Sequence, residues 1–379
     1  MPRHDVLIVG AGPAGSTLAW ALAQRGMDVA ILDKQQFPRD KVCAGWITPA
    51  VLTSLQIDID DYRQQNILQP VHGFRVGRMT GGLNTIDYPD GPVSYSIRRC
   101  EFDDYLLKRS GATVYENTKV ESLRYEANTW TLNENYSAPL LVGAGGHFCP
   151  VAHHVGAKPG KAELAVTAQE IEFAMSDKQQ QACKVVADKP ELFFCDDLKG
   201  YGWVVRKQHY LNIGLGREDN IKLNQHVRDF CDDLKQQGRI PQDIPTKFHG
   251  HAYLCYSQAR RPLVGEGVLL IGDAAGLAYA ESGEGIRPAV ESALIAAPVI
   301  LENEAPYNKE SLASYVEQLE ERFGKRAVTT TTENAVVMAI KVALGNSLLA
   351  SPWFDRHVVL NRWFLHQQQP PLLLQAETI

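Results

Sequence analysis

The sequence has no surplus of positive charge: 38 lysines and arginines face 44 aspartates and glutamates, for a net charge of −6. That balance gives no electrostatic footprint for a nucleic-acid partner. Long apolar runs are also missing. A bilayer span needs about 20 consecutive apolar residues. The nearest approach, Ala335-Val-Val-Met-Ala-Ile-Lys-Val-Ala-Leu344, is much shorter and carries Lys341. It reads as a core helix or as a helix lying on a membrane surface. Metal-binding spacing is absent too. The 7 cysteines are scattered, with no C-x-x-C pair, and His153 and His154 are adjacent rather than one helical turn apart, so no metal is expected. No basic stretch followed by an apolar stretch opens the chain, so the expected setting is cytoplasmic and reducing, with free thiols.

What is present is an ordinary globular composition, 45% hydrophobic and 22% charged. A chain of 379 residues exceeds one small core, and two structural regions are expected. Residues 5–9 form a short apolar run closed by glycine, as in a strand covered on both faces. Ala14, Leu18, Ala21 and Leu22 follow at helical spacing, and residues 28–32 form a second buried run. Together they predict a β-α-β unit.

Gly10, Gly12 and Gly15 meet the spacing G-x-G-x-x-G between that strand and that helix. The first glycine permits a tight turn, the second lets the backbone approach a pyrophosphate, and the third lets helix and strand touch. The helix start offers unpaired N–H groups and the positive end of its dipole to phosphates. Asp33, at the end of the second strand, can accept from both ribose hydroxyls of a dinucleotide and disfavours a 2′-phosphate.

A second block decides which dinucleotide. Val268-Leu-Leu-Ile271 is a buried strand ending at Gly272-Asp273, and Asp273 can bond a ribityl hydroxyl, which FAD has and NAD lacks. Ser282-Gly-Glu-Gly-Ile286 then opens a helix over about 285–301, with Pro288 in its first turn. Its positive end suits the anionic part of a reduced flavin.

The intervening segments suggest a second region. One helix is expected near 49–55 and antiparallel hairpins over 70–98. Another helix is expected near 101–108, with short strands near 113–115, 120–126 and 129–133 and a strand at 140–142. Residues 164–248 read mostly as strands, with a helix near 223–237, and the tail after 305 as helical. The expected fold is mixed α/β: a Rossmann-like FAD-binding domain interrupted by an antiparallel-sheet substrate domain, with a helical C-terminal tail. The expected boundaries are 1–70, 98–163 and 255–302 for the first domain, 71–97 and 164–254 for the second, and 303–379 for the tail.

These motifs, with Arg99-Cys-Glu-Phe-Asp103, resemble flavoproteins of the p-hydroxybenzoate-hydroxylase fold, and within them the geranylgeranyl reductase family. The closer resemblance rests on Phe37-Pro-Arg-Asp-Lys-Val-Cys-Ala-Gly45, on Ser282-Gly-Glu-Gly-Ile286, on Gly200-Tyr-Gly-Trp-Val204 with Leu211-Asn-Ile-Gly-Leu-Gly216, and on the tail. It implies FAD contacts from Gly10, Gly12, Pro13, Ala14, Gly15, Asp33 and Lys34, and from Lys41, Cys43, Ala44, Gly45 and Arg99. Further contacts are implied from Gly143, Ala144 and Gly145, from Gly272 and Asp273, and from a ring loop of Gly283, Glu284, Gly285 and Ile286. Cys43 and Tyr201 are the candidate catalytic residues, and Tyr201 and Trp203 the candidate substrate-cavity lining. The chain departs from the family at Gly145, where an aspartate is usual, and at Val205-Arg206, where the reductases carry Phe-Pro.

The resemblance implies hydride transfer at flavin N5 to carbon–carbon double bonds of a lipid-like or polyprenyl substrate. The electron donor is open between NADPH and a protein carrier. An FAD monooxygenase of the same fold and a non-enzymatic flavin redox sensor are the competing readings. Peripheral membrane contact through the C-terminal helices is a further expectation.

Overall fold

The computed structural model describes residues 2–158, 163, 165–219, 221–326 and 335–374. The fold is mixed α/β. Its first sheet has six strands in the order Val264–Gly265, Val268–Leu270, Leu140–Gly143, Val6–Val9, Val29–Leu32, Thr113–Tyr115. All neighbours are parallel except the first pair. Such strands must be apolar on both faces, and Val6–Val9, Val29–Leu32 and Leu140–Gly143 are buried throughout.

The register brings the carboxyl ends level: Val9 stands opposite both Leu32 and Gly143, and Gly143 opposite Leu270. The residues that follow these ends, Gly10, Asp33, Ala144 and Ile271, therefore share one edge. Outside such an edge an α/β sheet opens its ligand crevice.

Two helices lie side by side on this sheet, Pro13–Ala23 and Ile286–Leu301. Leu18, Leu22, Val290 and Ala293 are buried between them and the strands. Each fully buried leucine contributes about 1.5–3 kcal/mol. Pro288 stands in the first turn of the second helix, where its missing N–H costs nothing.

The second sheet has seven strands in the order His249–Tyr253, Val166–Ala174, Tyr210–Arg217, Gly200–Lys207, Glu191–Phe194, Gly73–Arg78, Leu83–Asp87. It is antiparallel except where Glu191–Phe194 runs parallel to Gly73–Arg78. The helix Leu223–Gln236 covers one face through Val227, Phe230 and Leu234, which pack on Ile213 and Val204. Alternation along Val166–Ala174 turns Ala168, Glu170 and Glu172 to the other face, toward the first sheet.

Two expectations need refinement. The segment 70–98 does not form consecutive hairpins only. Ser94–Ile97 pairs with Leu68–Val71 on one side and Trp46–Ile47 on the other in a separate small sheet, while Gly73–Arg78 and Leu83–Asp87 form the hairpin at the edge of the larger one. The span 35–66 holds a second short helix, Ile59–Arg63, which begins because Asp58 accepts from the N–H groups of Asp60 and Asp61 at 2.8 and 3.1 Å.

The tail is helical at Ala313–Phe323 and Ala335–Leu348, and again from Pro352 to a π-helical stretch, Asp355–Phe364. It returns to the larger sheet, where Val359, Leu360 and Phe364 pack on Trp46, Phe74 and Trp203. Beyond Phe364 the chain runs over the loop before Ile286. Arg287 donates to the carbonyls of Gln369 (2.9 Å) and Pro370, and Arg322 to that of Pro370 (2.8 Å). Both arginines share the buried carboxylate of Glu291.

Candidate active site

Between the level strand ends of the first sheet and the inner face of the second lies a cleft of about 560 Å³. One end is built by the glycine turn. Gly10 has φ +111, and a β-carbon there would lie 2.5 Å from the Ala144 carbonyl oxygen. Gly12 is open on its cleft side, with only the Arg39 guanidinium 3.6 Å from where a β-carbon would stand. The helix Pro13–Ala23 starts there with no side-chain cap and no acid in its first turn. Its first N–H groups and Arg39 concentrate positive potential at one point.

Asp33 is fixed beside this point. Its carboxylate accepts from the N–H groups of Ala11 (2.8 Å) and Gln35 (2.9 Å). Arg39 lies over the Phe37 ring at 4.5 Å and pairs with Asp103 at 3.2 Å. Arg99 forks onto the same Asp103 carboxylate at 2.9 and 2.8 Å.

In the middle of the cleft Lys41, His251 and Asp273 meet. Lys41 Nζ lies 2.9 Å from His251 Nε2, which lies 3.5 Å from Asp273 Oδ2. Burial lowers Lys41 and, helped by that lysine, pushes His251 down to about 4. Burial alone would raise Asp273, but the His251 hydrogen bond and the lysine outweigh it and hold its carboxyl at about 2. The side chain of Asp273 reaches the start of the second helix, where a β-carbon on Gly285 would stand 3.1 Å from its Oδ1.

The other end is the loop 282–286 and the helix it opens, which again has no side-chain cap. Glu284 is buried here, 6% exposed, and neither carboxylate oxygen has a hydrogen-bond partner. His366 Nε2 lies 3.7 Å away, and burial, helped by Arg287 and Arg322, lowers that imidazole to about 4. Burial pushes the Glu284 carboxyl up to about 8. Across the cleft the Tyr201 hydroxyl donates to the Ser282 carbonyl, and burial raises its pKa well above the usual phenol range. The Trp203 indole N–H donates to Asn212 Oδ1 at 2.7 Å.

The cleft thus gathers Gly10, Gly12, Pro13, Ala14, Asp33 and Lys34 from the first β-α-β unit, and Lys41, Cys43, Ala44 and Gly45 from the next loop. Arg99, Ala144, Gly145, Asp273 and all four residues of the 283–286 loop join them, and Tyr201 and Trp203 line the far wall. Three residues expected at the ligand lie behind the wall instead. Gly15 packs on Gly10, Gly143 on Leu270 and Val151, and Gly272 on Ala14, each where a side chain would collide.

Residues not singled out from the sequence also line the cleft: Arg39, His251, Tyr253, Glu170 and Glu172. Lys207 and Asn212 stand behind the last two. The one available signal was a pair of acids at alternate positions in a strand, Val166–Ala174.

A family model for FAD-dependent oxidoreductases matches residues 5–76. An uncharacterized protein of Methanosarcina barkeri is 30% identical over 311 residues, covering 79% of this chain and 75% of that one. The digeranylgeranylglycerophospholipid reductase of Methanocaldococcus jannaschii is 27% identical over 312 residues, covering 78% and 76%. The chain belongs to the geranylgeranyl reductase family. It is therefore an FAD-dependent oxidoreductase. The fold agrees: a geranylgeranyl bacteriochlorophyll reductase-like protein of Thermoplasma acidophilum superposes with a TM-score of 0.73 at 21% identity, covering 100% of this chain and 94% of that one.

The cleft of this geranylgeranyl reductase family member fits FAD on its own terms. Two uncapped helix starts face it from opposite ends, Gly12 leaves room for a diphosphate, and beside the second helix start neither Glu284 oxygen is hydrogen-bonded among the described residues.

Proposed function

We propose that this chain reduces carbon–carbon double bonds of a lipid-like, polyprenyl substrate. The observation that carries this reading is an aromatic wall beside the Cys43 loop. Trp46, Tyr201 and Trp203 line the cleft and are backed by Phe194 and Phe364, with neighbouring ring centroids 5.3–6.4 Å apart. An apolar chain is held by such rings through burial rather than hydrogen bonds.

When bound, FAD supplies the hydride chemistry. In this assignment Gly10, Gly12, Pro13, Ala14 and Arg39 hold the diphosphate, and Asp33 the ribose. Asp273, kept ionised by His251 and Lys41, holds the ribityl chain. Gly283–Ile286 would hold the ring, and the N-terminus of the helix Ile286–Leu301 would offer its positive end to negative charge there. Cys43, whose Sγ accepts from the Gly45 N–H at 3.3 Å, stands on the reacting side. Tyr201 tethers the substrate sheet to the ring loop, and the aromatic wall excludes water.

The electron donor is either NADPH visiting the same cleft or a protein carrier. Gly145, in place of the usual aspartate, favours the carrier. The substrate is drawn from a membrane surface: Ile340, Leu344 and Leu348 lie at successive helical turns, 55%, 60% and 47% exposed, followed by Trp353 at 66%. Among the described residues no helix is long and apolar enough to cross a membrane.

The test is anaerobic. Enzyme with its bound FAD reduced by dithionite is mixed with geranylgeranyl lipids, and oxidation of the flavin is followed with product mass. Re-oxidation with a gain of two hydrogens per double bond is expected. A flavin that stays reduced, but hydroxylates an aromatic compound when oxygen is admitted, would make the chain a monooxygenase.

A further inference from the structure

Beneath the Cys43 loop, the inner face of the larger sheet carries two acids two residues apart, Glu170 and Glu172, and the structure treats them differently. Glu172 receives the cations. Lys207 Nζ donates to its Oε2 at 2.6 Å, Arg98 Nε to its Oε1 at 3.1 Å, and Asn212 Nδ2 to its Oε2 at 3.2 Å. Burial would raise Glu172, but these partners outweigh it and hold it below the usual carboxylate range. Lys207 is fully buried, and the nearest carboxylate oxygen to its ammonium belongs to Glu172.

Among the described residues Glu170, 6% exposed, makes no ion pair of its own. It accepts from Asn212 Nδ2 at 3.3 Å and from the backbone N–H of Cys43, and it lines the cleft. Lys207 and Arg98 both turn to Glu172, and Arg98 is shared with Glu101 as well, so the second acid is left without a counter-ion and keeps its proton. Two like charges this close cannot both ionise cheaply without a second counter-ion. Around Glu170 stand Glu172 on its own strand, Asn212 on one neighbouring strand with Lys207 and Trp203 on the strand beyond it, His249 directly opposite on the other neighbouring strand, and the Cys43 N–H on the loop above. Burial pushes its carboxyl up to about 8 against the pull of Lys207.

Asn212 joins these parts. Its Nδ2 also donates to the Cys43 carbonyl at 3.2 Å, and its Oδ1 accepts from Trp203. The unionised acid is thus fixed to the reactive loop and to the aromatic wall at once.

We infer that Glu170 is the general acid of this cleft, donating its carboxyl proton to the alkene carbon next to the one that takes the hydride. This rests on the alkene-reductase reading. One carbon receives a hydride from the reduced cofactor and a C–H bond forms. The displaced π pair forms the second C–H bond with the Glu170 proton. The O–H bond electrons stay on the Glu170 carboxylate, which the Asn212 and Cys43 N–H donors stabilise until solvent returns a proton. The alkene gains two electrons and two hydrogens, and the cofactor loses two electrons.

The test combines two readouts. In single-turnover alkene reduction by the pre-reduced holoenzyme, Glu170→Gln should be about 100-fold slower or worse, the usual size of a general-acid contribution. Glu170→Asp should recover part of the rate, and flavin oxidation by ferricyanide, which needs no proton at carbon, should be unchanged in both. The wild-type rate should fall as pH rises through about 8, and the residual rate of Glu170→Gln should not. Independently of turnover, the infrared difference between cofactor-free wild type and Glu170→Gln should contain a carboxylic-acid C=O band at pH 7 that disappears above pH 8. A Glu170→Gln enzyme with the wild-type rate and alkaline limb would overturn the inference, as would the absence of the acid band. A wild type that reduces no polyprenyl alkene would instead overturn the reaction, and the assignment with it.

Discussion

The hydroxyl of Tyr201 donates to the backbone carbonyl of Ser282, joining the middle of the seven-stranded sheet to the loop that opens the helix Ile286–Leu301. Through this bond the wall expected to hold substrate sets the position of the loop expected to hold the flavin ring. The tyrosine's proton is committed to that carbonyl, so Tyr201 acts here as a tether.

Removing the hydroxyl should therefore alter the cofactor more than the chemistry. Tyr201→Phe leaves a buried carbonyl without this donor and should cost about 1–3 kcal/mol of stability. Its flavin absorbance should shift and FAD should bind more weakly, while single-turnover alkene reduction stays within a few-fold of wild type. Thermal melting and a spectral titration check both. A loss of turnover with an unchanged spectrum would return Tyr201 to the chemistry.

Two glycines of one motif should fail differently. A β-carbon at Gly15 would lie 2.0 Å from the Gly10 carbonyl oxygen, whereas at Gly12 it meets only Arg39 at 3.6 Å, and φ of −75 at Gly12 suits alanine. Gly15→Ala should lower the melting temperature of the FAD-free protein markedly. Gly12→Ala should melt as wild type does yet retain little FAD, because its methyl fills the space for the diphosphate. Melting and the ratio of bound flavin to protein separate the two.

The buried acids make the FAD-free protein less stable in alkali. Glu170 and Glu284, both pushed up to about 8 by burial, keep protons in the folded state that the unfolded chain releases above roughly pH 4.3. Their contribution is full below that pH and is lost as pH rises through 8. His251 and His366, both lowered to about 4 chiefly by burial, act in the opposite sense up to roughly pH 6.5, so the melting temperature should decline between about pH 6.5 and 8, and Glu284→Gln should flatten that decline. Lys41, lowered by burial, acts in the opposite sense. An unchanged slope in Glu284→Gln would show that this carboxyl is ionised when folded.

Leu344 stands at the centre of the exposed apolar stripe of the tail. Leu344→Glu should reduce co-sedimentation with phospholipid vesicles several-fold and raise the apparent KM for vesicle-borne substrate. Reduction of a short, detergent-dissolved polyprenyl substrate should be unaffected. Equal binding of both proteins to vesicles would locate the lipid-facing surface elsewhere.

Local features of the site were the legible ones. The turn at Gly10, the helix starts at Pro13 and Ile286, and the acid at the end of each buried strand are each fixed by a few consecutive residues, so the pattern alone places them. What it could not show is assembly across strands. Lys41 and His251 are 210 residues apart. Glu170 and Glu172 flank Ile171, an alternation that reads as a solvent face until pairing with Tyr210–Arg217 turns it inward. Gly15, Gly143 and Gly272 illustrate the converse, since a required glycine marks close packing as readily as ligand contact. The pairing of Leu68–Val71 with Ser94–Ile97 across an intervening hairpin is likewise set by the tertiary core.

The central claim is that two helix beginnings, 273 positions apart (13 and 286), hold opposite ends of one FAD. The most direct measurement is the crystal structure of the protein with FAD bound. The account requires the diphosphate at the N–H groups following Gly12 and the pyrimidine edge of the ring at those following Gly285, with Cys43 and Glu170 on the ring's open side. A diphosphate at the Gly285 end, or a ring lying away from both Cys43 and Glu170, would contradict it.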